Sequence, residues 1–200
     1  MRPIVEDLQA FWRFTYSRAS LLAAAEFLAE LNKVKPESIQ YRALVEAAVV
    51  AYARPFTTCY LPPKRKQVKP LGEIPPPQHL SIYHKDALDL RDTMIAHKDA
   101  TPAKGYTDTP NKVLVNISPR ISLDASMIGE MLSPATSRLS ELCAYFVKHC
   151  EENLNRLTKL YRSELTKYPP GKYELVICEP HADWLIPFRT KHGDDFRVAG

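Results

Sequence analysis

The stretch LSELCAYFVKHCEENLNRLTKLY, residues 139–161, sets Leu139, Cys143, Phe146, Cys150, Leu154, Leu157 and Tyr161 three or four positions apart. That spacing gathers apolar groups on one stripe of an α-helix. Upstream, Ser133-Pro134 pairs an N-cap residue with a first-turn proline. Downstream, Pro169-Pro170-Gly171 stops the helix beyond about Lys167. One long amphipathic helix is therefore expected, and a single apolar stripe needs neighbouring helices to cover it.

Those neighbours are found by working towards the N-terminus. From Pro3 to about Asn32 no glycine or proline interrupts the chain, and Leu21, Ala25, Leu28 and Leu31 recur at helical spacing. Phe11, Trp12, Phe14 and Tyr16 lie on several faces of its first half, an aromatic layer facing more than one neighbour. Pro36 opens a second helix, whose half from Ala43 to Ala53 is apolar almost all round and belongs in the centre of a bundle. Residues 55–77, rich in proline and carrying Lys64-Arg65-Lys66, read as an exposed, extended loop. A third helix runs from Gln78 to about Lys98, ended by Pro102 and Gly105. Residues 112–117 and 173–178 are short and β-branched and read as strands that pair with each other. The expected fold is mainly α: a four- to five-helix up-down bundle over residues 1–168, with loop 55–77, an accessory strand near 112–117 and a small β hairpin or sheet. Residues 169–200 form a C-terminal extension with a short strand.

A chain that is 45% hydrophobic and 25% charged can bury a core and is not disordered throughout. Its formal charge of +4 permits a polyanionic partner without requiring one. Met1-Arg2-Pro3-Ile4-Val5-Glu6-Asp7 lacks the order of a secretory signal. Glu46 and Arg54 cut the apolar window far short of the ~20 residues a membrane span needs. No membrane association and a cytoplasmic location are expected. Cys59, Cys143, Cys150 and Cys178 form no Cys-x-x-Cys pair, so no disulfide framework or metal site is expected. Cys143 and Cys150 lie ~10 Å apart along one helix face, too far for a disulfide, and are assigned to the core. Cys178, His181 and Asp183 lack a further spaced ligand and read as a loop. The scattered glycines build no phosphate loop, and no cofactor is expected.

The third helix holds most of the polar residues that packing does not explain. His84 and Arg91, seven apart, share a stripe. His97 follows Arg91 by six, rotated ~120° and ~9 Å further along, so the pair could bracket one phosphate. Exposed carbonyls and Asp99 favour the imidazolium there while Arg91 opposes it, the balance that general acid–base chemistry uses. The same spacing is also met by two surface charges and a histidine capping the last carbonyls.

Arg91-Asp92 followed by four residues and His97 resembles the Arg-(Asn/Asp/His)-x-x-x-x-His signature of the HEPN superfamily, the higher eukaryotes and prokaryotes nucleotide-binding domain. The wider stretch Tyr83-His84, Leu88, Leu90-Arg91-Asp92 and Ile95-Ala96-His97-Lys98-Asp99, with Tyr52-Ala53-Arg54-Pro55-Phe56-Thr57 upstream, is similar to an abortive-infection-like branch of that family. The resemblance implies a helical bundle that dimerises so that two motifs face one cleft, and a metal-independent endoribonuclease. Arg91 and His97 would be catalytic, with Asp92 orienting one of them. His84, Lys98, Lys64, Arg65 and Lys66 would contact RNA. The expected partners are RNA, a second copy of the chain and, for the toxin of a toxin–antitoxin or abortive-infection system, an antitoxin protein. Some members of the family only bind, which leaves a non-catalytic RNA- or protein-binding bundle as the alternative.

Overall fold

The computed structural model describes residues 3–36, 38–61, 66–92, 114–117, 121–124, 136, 138–177 and 184–187. The described chain is mainly helical: α1 (Val5–Leu31), α2 (Ile39–Ala53), α3 (Ser81–Leu90), α4 (Leu139–Leu160) and the short α5 (Arg162–Leu165). Single 3₁₀ turns at Arg54–Phe56 and Gln78–Leu80 follow α2 and lead into α3. The strands β1 (Cys59–Leu61), β2 (Lys66–Val68), β3 (Leu114–Ile117), β4 (Ile121–Asp124), β5 (Tyr173–Leu175) and β6 (Leu185–Pro187) form antiparallel pairs.

The long first helix, rather than the second, takes the central place. It packs along both α2 and α4. Small residues make this possible, because Ser17, Ser20 and Ala24 are buried and let backbones approach. Glu6 and Asp7 in its first turn complement the helix dipole. In α2, Val45, Ala48, Val49, Ala51, Tyr52 and Ala53 are buried but Ala43 is exposed, so its apolar run exceeds what the bundle covers. This helix begins at Ile39 and not at Pro36. Ser38 caps it, its hydroxyl accepting from the Tyr41 amide at 3.0 Å, a bond that the proline two residues earlier does not supply.

In α4 the residues that defined the stripe are inside: Leu139, Cys143, Phe146, Cys150 and Leu157 are buried, together with Leu142. The cap expected at Ser133-Pro134 lies outside the described residues. The helix ends at Leu160, short of the expected Lys167. Tyr161, buried and ring-packed against Phe11, donates its hydroxyl to the Asp7 carboxylate. That bond ties the end of α4 to the start of α1, and α5 sets off from it.

The two expected strands do not pair with each other. β3 pairs with β4, from Leu114 opposite Asp124 to Ile117 opposite Ile121, and β5 pairs with β6. Each strand takes the partner reached by the shorter loop, which costs less closure entropy. Ile177 and Trp184, flanking the β5–β6 pair, pack with Leu8 of α1 and Leu61 of β1 in a second, smaller apolar cluster.

The proline-rich connector is not simply extended and exposed. It folds back as β1 and β2, and Pro55, Phe56, Pro70 and Leu71 are buried. Arg13 of α1 donates Nε and Nη2 to the Pro70 carbonyl at 3.0 and 2.8 Å, and the Leu71 amide donates to the Pro55 carbonyl at 2.8 Å. Hydrogen bonds from a charged donor contribute about 1.5–3 kcal/mol. Arg13→Ala is expected to lower unfolding stability by about that amount in a urea titration, and an unchanged midpoint would show that the clamp holds nothing.

Burial pushes the Cys143 and Cys150 thiols up to about 12, and burial together with the Asp7 bond pushes the Tyr161 phenol up to about 12. A raised folded pKa means stability that is complete below the unfolded value and lost as pH rises through the folded one. Thermal melts should therefore show a stability that declines between about pH 9 and 12. A thiol reagent at pH 8 should leave Cys143 and Cys150 unmodified until the protein unfolds. Rapid native labelling of either would contradict their burial. No helix among the described residues is long and apolar enough to cross a membrane.

Candidate functional site

The third helix is held by three buried anchors, Leu80, Ala87 and Leu90. The triple proline 75–77 ends the preceding connector, and Ser81 turns the chain by donating its hydroxyl to the Gln78 carbonyl at 2.9 Å. With the anchors inward, His84 and Arg91 fall on a stripe bordering the buried face, about 20° apart in rotation. Asp86 and Asp89 lie about 140–200° round the helix from His84, on the far side. These two carboxylates are thereby separated from the stripe. Burial first, and then Asp89, raises the Asp86 carboxyl, while Lys85 opposes the shift.

His84 is half-buried in an aromatic box. Its Nδ1 lies 2.6 Å from the Tyr52 hydroxyl. The ring is edge-on to Phe56 with centroids 4.6 Å apart, and it lies 5.8 Å from Phe146 of α4. Burial lowers its pKa from the ordinary histidine value. Tyr52 is fully buried, and burial, followed by the Cys143 thiol beside it, pushes its phenol far above the ordinary value.

Arg91 continues directly from α3, its amide donating to the Ala87 and Leu88 carbonyls. Its Nη1 lies 2.6 Å from Asp92 Oδ1, and the side chains are 32% and 58% exposed. So exposed an ion pair contributes little to stability, which leaves the guanidinium available to a stronger anionic partner. The fork of N–H donors matches a phosphate's oxygens bidentately, whereas one neighbouring carboxylate oxygen occupies only part of it.

Three expected site residues, His84, Arg91 and Asp92, are thus placed on or directly after one helix. Lys66 opens β2 opposite Leu61. His97, Lys98, Lys64 and Arg65 lie outside the described residues. Tyr52, Phe56 and Phe146 complete the surroundings of His84, yet the sequence reading assigned them no site role. One signal was present: a tyrosine inside the apolar run of α2 must satisfy its hydroxyl when buried, and histidine is a ready acceptor. Among the described residues no group of three or more His, Cys, Asp or Glu side chains could hold a metal ion. No protein-family model, curated protein or solved structure matches the chain.

Proposed function

We propose that the chain is a HEPN-type, metal-independent endoribonuclease acting through Arg91, Asp92 and His97. The observation that carries this reading is the state of Arg91. It is a half-exposed guanidinium at the end of α3, paired only with its sequence neighbour among the described residues and set on the same stripe as His84. RNA brings its own nucleophile, so the protein need supply only a base, charge stabilisation and alignment. In neutral form His97 takes the proton of the 2′-hydroxyl, the 2′ oxygen bonds to phosphorus, and the P–O5′ bond breaks. The 5′ oxygen leaves protonated by water, and His97 returns the proton it took to solvent. Arg91 holds the non-bridging oxygens, on which negative charge accumulates, and Asp92 fixes the guanidinium plane. Lys98 and the 64–66 basic run add phosphate contacts.

The active unit proposed is a homodimer, since the exposed Ile39 and Ala43 at the start of α2 offer an apolar edge to a second copy. The biological setting proposed is a toxin of a toxin–antitoxin or abortive-infection system, held inactive by an antitoxin protein. The test is incubation with RNA in excess EDTA, after any co-purifying protein has been removed. The expected products carry 2′,3′-cyclic phosphate ends, and DNA of the same sequence stays intact because it lacks the hydroxyl. Intact RNA under these conditions would refute the enzyme reading, and retained RNA binding would then leave a binding bundle.

A further inference from the structure

The geometry points to an uncharged anion-contacting group: we propose that Tyr52, by its hydrogen bond to Nδ1 of His84, locks that ring with its proton on Nε2 and presents this N–H to a phosphodiester oxygen of a strand that runs along the stripe shared with Arg91. This rests on the RNA reading for the identity of the anion. It does not rest on that reading for the lock itself.

The lock follows from counting hydrogens. A phenol has one, and among the described residues the Tyr52 hydroxyl has no hydrogen-bond partner besides His84 Nδ1, 2.6 Å away. Tyr52 is fully buried, so water does not substitute for a missing acceptor. If Nδ1 carried a proton, as in the other tautomer or in the imidazolium, that N–H would donate to the phenol oxygen. The phenolic hydrogen would then face only Phe56, Phe146 and the Cys143 sulfur, at best a weak acceptor, at the cost of a good buried hydrogen bond. The phenol will not ionise to relieve this, because burial holds its proton firmly. With Nδ1 accepting, the remaining hydrogen belongs on Nε2. Burial of the ring opposes a positive charge in the same sense.

The consequence is a division of labour along one stripe. Arg91 supplies charge, and His84, about 10 Å before it along the helix axis, supplies a directed neutral donor. Tyr52 is a positioning residue, acting only through His84. Its ring also fills core space, so the test needs readouts that packing does not move.

The first readout is the nitrogen spectrum of the full-length protein labelled with ¹⁵N-histidine. At pH 7 the His84 ring is expected to show an unprotonated, hydrogen-bonded Nδ1 and a protonated Nε2. Tyr52→Phe, which keeps the ring volume, should give a mixture of tautomers and move the titration midpoint of His84 upward. The second readout is binding of an oligoribonucleotide with 2′-O-methyl groups, which cannot be cleaved, measured across salt concentrations. His84→Gln should weaken binding about 3–10-fold with the salt slope unchanged, because a neutral donor displaces no counterion. Arg91→Gln should flatten the slope by about 0.7. A ring protonated on Nδ1 in the wild type overturns the lock whatever the RNA does. Full affinity in His84→Gln, or a flattened slope like that of Arg91→Gln, overturns the neutral-donor role. A correct tautomer with no RNA binding by wild type overturns the phosphodiester assignment and the endoribonuclease reading together, while the lock stands.

Discussion

Phe146→Ala is expected to destabilise the protein by about 3–5 kcal/mol, the range for removing a large aromatic from a packed interior. Phe146 is fully buried where α2, α3 and α4 meet. Its ring centroid lies 4.9 Å from that of Phe56, 5.0 Å from Tyr145, 5.8 Å from His84 and 6.5 Å from Tyr52. Its ring neighbours are rigid, and Tyr52 and His84 are tied to each other. Much of the cavity should therefore persist, which places the cost at the upper end of the range. Domains of this size are stable by only about 5–15 kcal/mol, so the loss is a large share of the whole. In urea the midpoint should fall with the slope preserved. Phe146→Leu, which keeps most of the volume, should cost roughly 1–1.5 kcal/mol. A midpoint shift equivalent to under about 1 kcal/mol for the alanine variant would mean that the site's floor is not the packed cluster described.

The parts of this structure that could be read from sequence are those fixed by local periodicity. The α4 stripe and the uninterrupted α1 needed no knowledge of a partner, and Leu142 and Phe146 ended inside because only one face of α4 is apolar. Boundaries were less legible wherever two start or stop signals compete. Pro36 and Ser38 both mark a helix start, and only the bond from the Tyr41 amide to Ser38 decides between them. Tyr161 continues the stripe, and the distant Asp7 is what draws it into the helix end. In the connector, proline and lysine content concealed Phe56 and Leu71, two isolated apolar residues whose burial depends on α1, through the grip of Arg13 on Pro70. Strand pairing was the least legible. β3 and β5 look alike, and nothing within either names its partner. At the site, the His84/Arg91 stripe follows from helical geometry alone. The Tyr52–His84 pair spans 32 residues, and no spacing rule reaches that far.

On the proposed endoribonuclease reading, His97→Ala is expected to slow RNA cleavage by ~10²–10⁴-fold, the usual worth of general acid–base help, while leaving the unfolding midpoint within about 0.5 kcal/mol of wild type. The base must be neutral to accept the 2′-hydroxyl proton, so wild-type kcat/KM should rise with pH and level off once the base is neutral. The alanine variant should lose that inflection. Arg91→Lys separates charge from shape at the other end of the site. Lysine keeps the positive charge but not the planar fork, so a site that depends on bidentate hold of the phosphorane oxygens loses rate even though charge is conserved. Asp92→Asn removes the 2.6 Å ion pair and frees the guanidinium to swing, which should lower kcat more than it raises KM if Asp92 serves alignment. The expected order of damage is His97→Ala, then Arg91→Lys, then Asp92→Asn. Wild-type rates in His97→Ala would remove the histidine from the mechanism. Full activity in Arg91→Lys would reduce Arg91 to a simple point charge and remove the bidentate hold from the mechanism.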